Sequence, residues 1–463
     1  MNQDESNQSD LSRRKFLQRS SLVAASTAVV ANFPFVLSSS AAEDKPIRIG
    51  LVGCGGRGTG AAGNAISSAP NVQIVALADL FKDRLEGCRN GLKKEHGVEV
   101  SDDRCFTGFD AYQKLVALPD LDYVILATMP HFRHIHLRAA IEAGKNVFME
   151  KPVAVDGPGI RSVIESGEMA KKKGLSIVAG TQRRHQKDYQ ETIKRIQDGA
   201  IGEIIAARAY WNGNELWHHG RNADWSEMEY QCRNWYYFTW LCGDHIVEQH
   251  VHNLDVINWV MGAHPIKASG MGGRQVRTDP KYGHIFDHFA VEYEYANGAR
   301  MFSQCRQHDN CESNISEAVM GTNGTSNCHS VIQMKHMQDA PQVAQAESKR
   351  GGDALVHASD QVVKPVKSEK NIWKFTTKNN NGYVQEHTDL IAAIRSGKPV
   401  NEARQIAEST LTAIMGRESA YSGQSITWDE MLNSDVKLAP ESYGFDVAPP
   451  KSVVAIPGKY KMG

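Results

Sequence analysis

Eight cysteines, at positions 54, 88, 105, 232, 242, 305, 311 and 328, include no C-x-x-C pair, which argues against a zinc ribbon or a thioredoxin-type centre. The chain also lacks an excess of either charge. Its formal net charge of −1 speaks against nucleic acid or a polybasic membrane contact as partner. No repeat or low-complexity array is present, and no apolar run is clean enough for a permanent membrane span. What is there is ordinary: 463 residues, 41% apolar and 23% charged, enough for two or more domains with full cores.

The first forty residues read as an address, not as fold. Ser12-Arg13-Arg14-Lys15-Phe16-Leu17 resembles the twin-arginine export motif. Residues 22–37 are modestly apolar, interrupted by Asn32 and Pro34, and residues 38–42 are small. A charged, an apolar and a cleavage region thus follow in order. Residues 1–42 are expected to be a signal peptide, handled by the twin-arginine translocation machinery and directing the protein to the periplasm. That route carries folded proteins, so a cofactor can be loaded before export. Outside there is no ready pool to replace it, and it is expected to be tightly bound.

Ile47, Ile49, Leu51 and Val52 predict a buried strand, and Gly53, Gly55 and Gly58 follow as G-x-G-x-x-G, with Gly56 and Arg57 inside the loop. The first glycine permits the tight turn, the second lets a pyrophosphate approach the backbone, and the third lets a helix sit close to the strand. That helix offers its N-terminal N–H groups to the phosphates. Residues 71–79 predict a second strand ending in Asp79, which suits ribose hydroxyls and repels a 2′-phosphate, so NAD is expected over NADP. Arg84, a helical turn further on, can soften that preference. Residues 121–127 predict another strand, with Thr128, Pro130 and His131 at its carboxyl end and a helix from His134 to Ala143. Residues 146–149 run into Glu150-Lys151-Pro152. The proline forces Lys151 out of helical geometry and leaves it at the carboxyl edge of the sheet, beside the expected nicotinamide. This nucleotide domain is expected over residues 45–175.

The glycine loop, Thr128-Met-Pro-His131 with His134, and Glu150-Lys151-Pro152 together resemble the glucose–fructose oxidoreductase/inositol dehydrogenase (Gfo/Idh/MocA) family, over about residues 46–435. The resemblance implies an α/β protein: an N-terminal Rossmann domain, then a C-terminal α/β domain (176–435) on a large open, mainly antiparallel sheet. Residues 436–463 form a C-terminal extension. It further implies a homo-oligomer, dimer or tetramer, joined through that sheet. The implied activity is NAD(P)-dependent hydride chemistry on a ring carbon of a sugar or cyclitol. The implied cofactor contacts are Gly53, Gly55, Gly56, Arg57, Gly58, Asp79, Thr128, Pro130, His131, His134, Glu150, Lys151 and Gln182. Arg183, in the segment after the strand at 176–180, is implied near the substrate, although Arg183 and Arg184 read equally well as surface charges.

In the second half, alternating residues 288–295 and 300–304 flank Asn297-Gly298, a strong hairpin signal. Residues 338–370 are polar and aperiodic and are expected to make an irregular excursion over the sheet. Residues 384–396 and 403–421 have helical spacing. Five of the eight tryptophans, 211, 217, 225, 235 and 240, cluster with Tyr236, Tyr237 and Phe238. Such rings stack on sugar faces, with Trp235 the candidate, or fill a core.

Residues 243–259 predict one helix, with Asp244, Glu248, His252 and Asp255 along a stripe. The family's Asp-x-x-x-His-x-x-Asp falls here on Glu248, His252 and Asp255, with glutamate replacing the first aspartate. The resemblance implies His252 close to the reacting carbon and Asp255 among the substrate contacts. Oxidising a secondary alcohol needs a base, which a desolvated Lys151 or His252 near its ordinary pKa can supply. The expected division has Lys151 polarising the oxygen, His252 relaying the proton and Glu248 orienting or accepting. A metal on Glu248, His245 and His252 is the rival use. The spacing is not H-E-x-x-H, and no metal is expected.

Three functions follow in order of expectation. The first is a sugar oxidoreductase. The second is a redox-neutral glycosidase, lyase or epimerase that recycles bound NAD. The third is a non-catalytic sugar- or nucleotide-binding protein, disfavoured because Lys151 and His252 are both present. Related N-acetylgalactosaminidases carry Tyr-Pro-Thr-His-Gly where this chain has Ile246-Val-Glu-Gln-His250, which counts against that one glycosidase.

Overall fold

The computed structural model describes residues 45–334, 370–451 and 453–462. The twin-arginine segment and nearly all of the 338–370 excursion lie outside them.

Apolar runs with little alternation build the first sheet, as strands covered on both faces require. Its six parallel strands are β1 (Ile47–Val52), β2 (Val72–Asp79), β3 (Cys105–Thr107), β4 (Tyr123–Leu126), β5 (Asn146–Met149) and β6 (Ile177–Ala179), in the order β3-β2-β1-β4-β5-β6. The order reverses between β1 and β4, so a crevice opens at their carboxyl ends. Helices α1 (Gly56–Ser68), α2 (Lys82–His96), α3 (Ala111–Val116), α4 (Pro130–Glu142) and α5 (Gly157–Lys173) cover the faces. Two expectations need correction. β6 pairs in parallel with β5, so a boundary at 175 would cut off the sheet's last strand. And α4 begins at Pro130, not His134, because proline at the first helical position gives up an N–H that has no intrahelical partner anyway.

The second sheet holds nine strands among the described residues: β7 (Ile204–Gly213), β8 (Lys267–Gly273), β9 (His288–Glu294), β10 (Arg300–Gln307), β11 (Asn314–Gly321), β12 (Gly324–Ser326), β13 (Val331–Met334), β14 (Lys370–Lys374) and β15 (Ile426–Thr427). Their order is β14-β13-β12-β11-β7-β10-β9-β8-β15. Every pair is antiparallel except β7 with β10. The Asn297-Gly298 turn joins β9 to β10 as expected. Gly298 takes φ +85°, open to glycine at no steric cost. Alternation then selects the faces: Phe289, Val291, Tyr293, Met301 and Cys305 point into the core, while Met271 and Phe302 stay exposed.

The helices that follow are α6 (Lys187–Gln197), α7 (Glu227–Arg233), α8 (Thr239–Cys242), α9 (His245–Glu248), α10 (Val251–Met261), α11 (Gly382–Ser396), α12 (Ala403–Ser422) and α13 (Trp428–Leu432). α11, expected with the second domain, instead sets Leu390 and Ile391 into the core of the first sheet beside Ile49, Leu51 and Phe148. α12 packs against both α5 and β8 and ties the two sheets together. No helix among the described residues is long and apolar enough to cross a membrane.

The expected single helix over 243–259 is broken. Asp244 has φ +74°. Its carboxylate caps His245 N and also accepts from Phe286 N at 2.8 Å and Tyr421 OH at 2.5 Å. It thus faces the core, away from the stripe it was assigned to. Helix α9 closes at Glu248, and His250 N reaches back five residues to His245 O at 3.2 Å. That extra residue in the turn sends Glu248 and His252 out from two separate helices.

Candidate active site

The glycine loop is built as the spacing requires. Gly53 has φ +101°. A Cβ on Gly58 would lie 1.7 Å from Gly53 O, so only glycine lets α1 approach β1. Gly55 and Gly56 have nothing within 4 Å of a Cβ position, and no side chain caps the first turn of α1. Bare N–H groups at a helix N-terminus facing open space fit a pyrophosphate. Asp79 closes the other side of the loop, accepting from Cys54 N at 2.6 Å and Phe81 N at 2.8 Å. Burial raises its pKa against the pull of those two N–H groups. Arg84 does not reach Asp79 in a hydrogen bond; its guanidinium lies 3.0 Å from His219 Nε2. Arg57 crosses from the loop to Glu150, which it meets in an ion pair, and lies over the Tyr383 ring at 4.9 Å.

The strand ends supply the rest. Arg133 donates to Thr128 O at 2.6 Å and Pro152 O at 2.5 Å, locking the β4 and β5 termini to each other. Thr128 Oγ1 meets His136 Nδ1 at 3.2 Å. Lys151, just past β5, is buried and reaches the second lobe: its Nζ donates to Glu248 Oε1 at 3.0 Å and to Glu248 O at 2.5 Å. His252 is also buried, and its ring stacks on Trp211 at 5.8 Å and 20°. Burial first, then the positive charges of Lys151, Arg183 and Arg57, hold its pKa well below the ordinary histidine value. It is a neutral imidazole at pH 7, which corrects the expectation of a near-ordinary pKa. Three buried polar atoms around these groups, Arg57 Nη2, Gln182 Oε1 and Glu248 Oε2, have no hydrogen-bond partner among the described residues, although Arg57 Nη2 lies 3.7 Å from Glu386 Oε1, and buried polar groups normally have one.

Other expected contacts are engaged elsewhere. Asp255 is buried and takes both prongs of Arg184, at 2.8 and 2.9 Å, plus Ser409 Oγ at 2.8 Å. It is 1% exposed and orients Arg184, whereas the sequence assigned it to the substrate. The surface reading of Arg184 fails for the same reason. Arg183 forms an ion pair with buried Glu317, which also accepts from Tyr189 OH at 3.2 Å. His131 is buried with Nε2 2.7 Å from Tyr443 OH, and half-buried His134 sits in the same helix. Of the aromatic stretch, Tyr236, Tyr237, Phe238 and Trp240 are core. Trp235 is only partly buried, edge-on to Trp217 at 5.7 Å. Glu248, His245 and His252 do not converge as metal ligands. Among the described residues, the group whose ligand atoms do converge is Asp287, His288 and His308, where Asp287 already accepts three backbone N–H groups.

The Tyr443 contact and the role of α11 carried no signal in the sequence. Each depends on partners hundreds of residues away.

Buried neutral histidines make one property predictable. Burial lowers His131, His136, His250 and His387 to about 3 and His284 to about 4. The unfolded chain takes up these protons near pH 6.5, whereas the folded one does not. The contribution of these five histidines is therefore full above about pH 6.5 and falls as pH drops toward those folded values. Urea midpoints measured from pH 8 to pH 4 are expected to decrease below about pH 6.5; a flat profile would refute the neutral assignment.

A parallel sheet with a glycine loop at its switch point, facing a lysine and a histidine from two lobes, defines the class: an NAD-binding oxidoreductase of Rossmann type. The family model described as "Oxidoreductase family, NAD-binding Rossmann fold" matches residues 47–181, and the "GFO/IDH/MocA C-terminal domain" matches residues 189–327. The chain belongs to the Gfo/Idh/MocA family. It is 25% identical over 215 residues to an inositol 2-dehydrogenase/D-chiro-inositol 3-dehydrogenase of Shouchella clausii, covering 46% of this chain and 53% of the relative. It is 29% identical over 188 residues to glycosyl hydrolase family 109 protein 4 of Phocaeicola vulgatus, covering 39% and 34%. The matches thus span about half the length of these curated relatives, or less. The structure of scyllo-inositol dehydrogenase from Lactobacillus casei with bound NAD(H) and scyllo-inositol shares the fold, with a TM-score of 0.58 at 18% identity over 83% of this chain and 99% of that one.

Proposed function

We propose that this is an exported NAD-dependent oxidoreductase acting on a ring hydroxyl of a sugar or cyclitol. The observation that carries this reading is Lys151 Nζ held at 3.0 Å from Glu248 Oε1, across the crevice where the two lobes meet and beside neutral His252. NAD, held by the loop at 53–58, Asp79 and the strand ends at 128 and 150–151, supplies a hydride acceptor. Lys151, ion-paired with Glu248, is a donor to the substrate oxygen. His252, kept neutral, accepts the hydroxyl proton as the carbon–oxygen bond order rises. Glu248 fixes the lysine by two contacts and keeps one oxygen for a substrate hydroxyl. The stack on Trp211 holds the imidazole plane. Arg183 braces the wall behind it, and Trp235 with Trp217 offers aromatic surface for a ring face. The twin-arginine motif at 12–17 supports export to the periplasm with NAD already loaded. Exposed Met271 and Phe302 on the uncovered sheet face support a homo-oligomer.

The glycosyl hydrolase relative favours a second reading: a closed cycle in which the hydride returns to the sugar after bond cleavage. One experiment separates the two. Inositols, free sugars and glycosides are added to the mature protein without added NAD, and NADH absorbance is followed together with product. A dehydrogenase leaves about one NADH per loaded protomer, and it persists. A closed cycle turns over with no net NADH. Absence of both, with every class of sugar, sinks the catalytic reading.

A further inference from the structure

The C-terminal extension does not trail away from the fold. Arg161 on α5 donates to Leu432 O and Ser434 O, both at 2.7 Å, and Asp156 Oδ2 accepts from Leu438 N at 3.0 Å. From there the chain crosses the carboxyl ends of β2, β3 and β4. Phe445 lies against Phe81 at 5.8 Å and Phe109 at 5.2 Å. Tyr443 lies against Phe109 at 6.0 Å and Phe132 at 5.2 Å, and its hydroxyl sits 2.7 Å from His131 Nε2. Beyond the crossing, Gly458 N donates to Ser422 O at 3.0 Å and Tyr460 OH to Glu418 Oε2 at 2.9 Å. The segment is thus anchored on both sides of its aromatic contacts.

Phe109 and Phe132 also line a cavity with Asp79, Leu80, Thr128 and Met129. It lies on the Asp79 side of the switch point, where a dinucleotide places its adenosine half. The rings of Phe109 and Phe132 form its aromatic wall, against which the base would sit. Those are the rings that Tyr443 and Phe445 brace. From the second lobe, Arg233 meets Asp83 at 3.1 Å and lies over the Phe81 ring at 4.0 Å, closing the other flank.

We propose that residues 438–447 are a strap over the adenosine end of the cofactor site, which makes NAD a resident group that does not exchange between turnovers. The proposal rests on the NAD-dependent reading above. Withdrawal of the adenine past this wall displaces the rings of Phe109 and Phe132. With the strap anchored at both ends, that motion must first break the contacts of Tyr443 and Phe445. A cofactor held this way suits a protein that works where it cannot be reloaded.

The test uses the full chain loaded with NAD. Exchange of bound NAD for isotope-labelled NAD is followed by mass spectrometry in the wild type, in Tyr443→Ala/Phe445→Ala and in Tyr443→Phe. The double variant is expected to exchange about ten- to a hundredfold faster, since each lost aromatic side chain weakens closure by up to about tenfold. Tyr443→Phe, which loses only the bond to His131, is expected to fall in between. A double variant with the wild-type circular dichroism and thermal midpoint that exchanges at the wild-type rate overturns the strap. Limited proteolysis of the wild type guards against a variant that does not fold. Residues 438–447 are expected to be protected in the loaded protein and cut once NAD is stripped, and equal cutting overturns the strap. If the wild type binds no NAD at all, the underlying function falls with it, an outcome distinct from rapid exchange.

Discussion

Lys151→Ala is expected to lower turnover by about a thousandfold, within the range seen for loss of a positioned acid–base group, while NAD stays bound. The reason is local. Lys151 is the one cation at the end of β5 that reaches the second lobe, and its amine touches both the carboxylate and the carbonyl of Glu248. Removing it also leaves Glu248 buried without its counter-charge, a change that typically costs about 3–5 kcal/mol. The thermal midpoint is therefore expected to fall as well, and on its own this would leave the catalytic role ambiguous. Lys151→Met combined with Glu248→Gln separates the two effects. Replacing both charges removes the uncompensated carboxylate, so stability is expected to recover, whereas turnover is not. Steady-state kinetics and thermal melts on both variants check this. Turnover that survives Lys151→Ala unchanged would remove the lysine from the mechanism.

Gly58→Ala is expected to be nearly as severe, by a different route. Its Cβ would lie 1.7 Å from Gly53 O, 2.9 Å from Gly53 C and 3.2 Å from the Ala127 methyl. Two of these are backbone atoms with no rotamer to escape into, so α1 must move off β1. That loses the tight helix–strand packing and misaims the N–H groups that receive a pyrophosphate. NAD affinity is expected to fall at least about a hundredfold, equivalent to about 2.7 kcal/mol, with an overpacking cost of about 1–3 kcal/mol in stability. Gly55→Ala is the informative companion. Its Cβ would meet nothing within 4 Å, so folding is expected to be unharmed, yet the methyl projects where the pyrophosphate approaches the backbone. Calorimetric titration with NAD and a thermal melt should therefore show Gly55→Ala weak in binding only, and Gly58→Ala weak in both. A Gly58→Ala protein that binds NAD normally would contradict the loop geometry.

Much of the first lobe was legible because its signals are short-range. A strand that must turn within three residues, a helix that must start beside a phosphate and a proline that must end a strand each constrain neighbouring residues. Gly53, Gly58, Asp79 and Lys151 could be placed from such rules alone. The hairpin at Asn297-Gly298 belongs to the same kind. The misreadings are also physically consistent. The stripe of Asp244, Glu248, His252 and Asp255 is a true periodicity, but helix spacing assumes unbroken hydrogen bonding. Tyr421 and Phe286, distant in sequence, recruit Asp244 into the core and help break the helix. Asp255 satisfied the motif and was then taken by Arg184 and Ser409. The aromatic stretch had the composition of a sugar platform, yet half of its eight rings, Tyr236, Tyr237, Phe238 and Trp240, fill a core between the lobes. Composition carries no information on which side of a ring is covered.

The amino-acid sequence by itself determined the dinucleotide fold, the preference for NAD and the lysine at the sheet's edge, because those depend on backbone geometry within one β–α–β unit. Only the tertiary structure decided what Lys151 touches, that His252 is neutral, that α11 and residues 438–445 pack on the nucleotide lobe, and that Asp255 faces an arginine. Those outcomes rest on burial and on pairings between residues far apart in the chain, and both exist only once the two sheets have packed against each other.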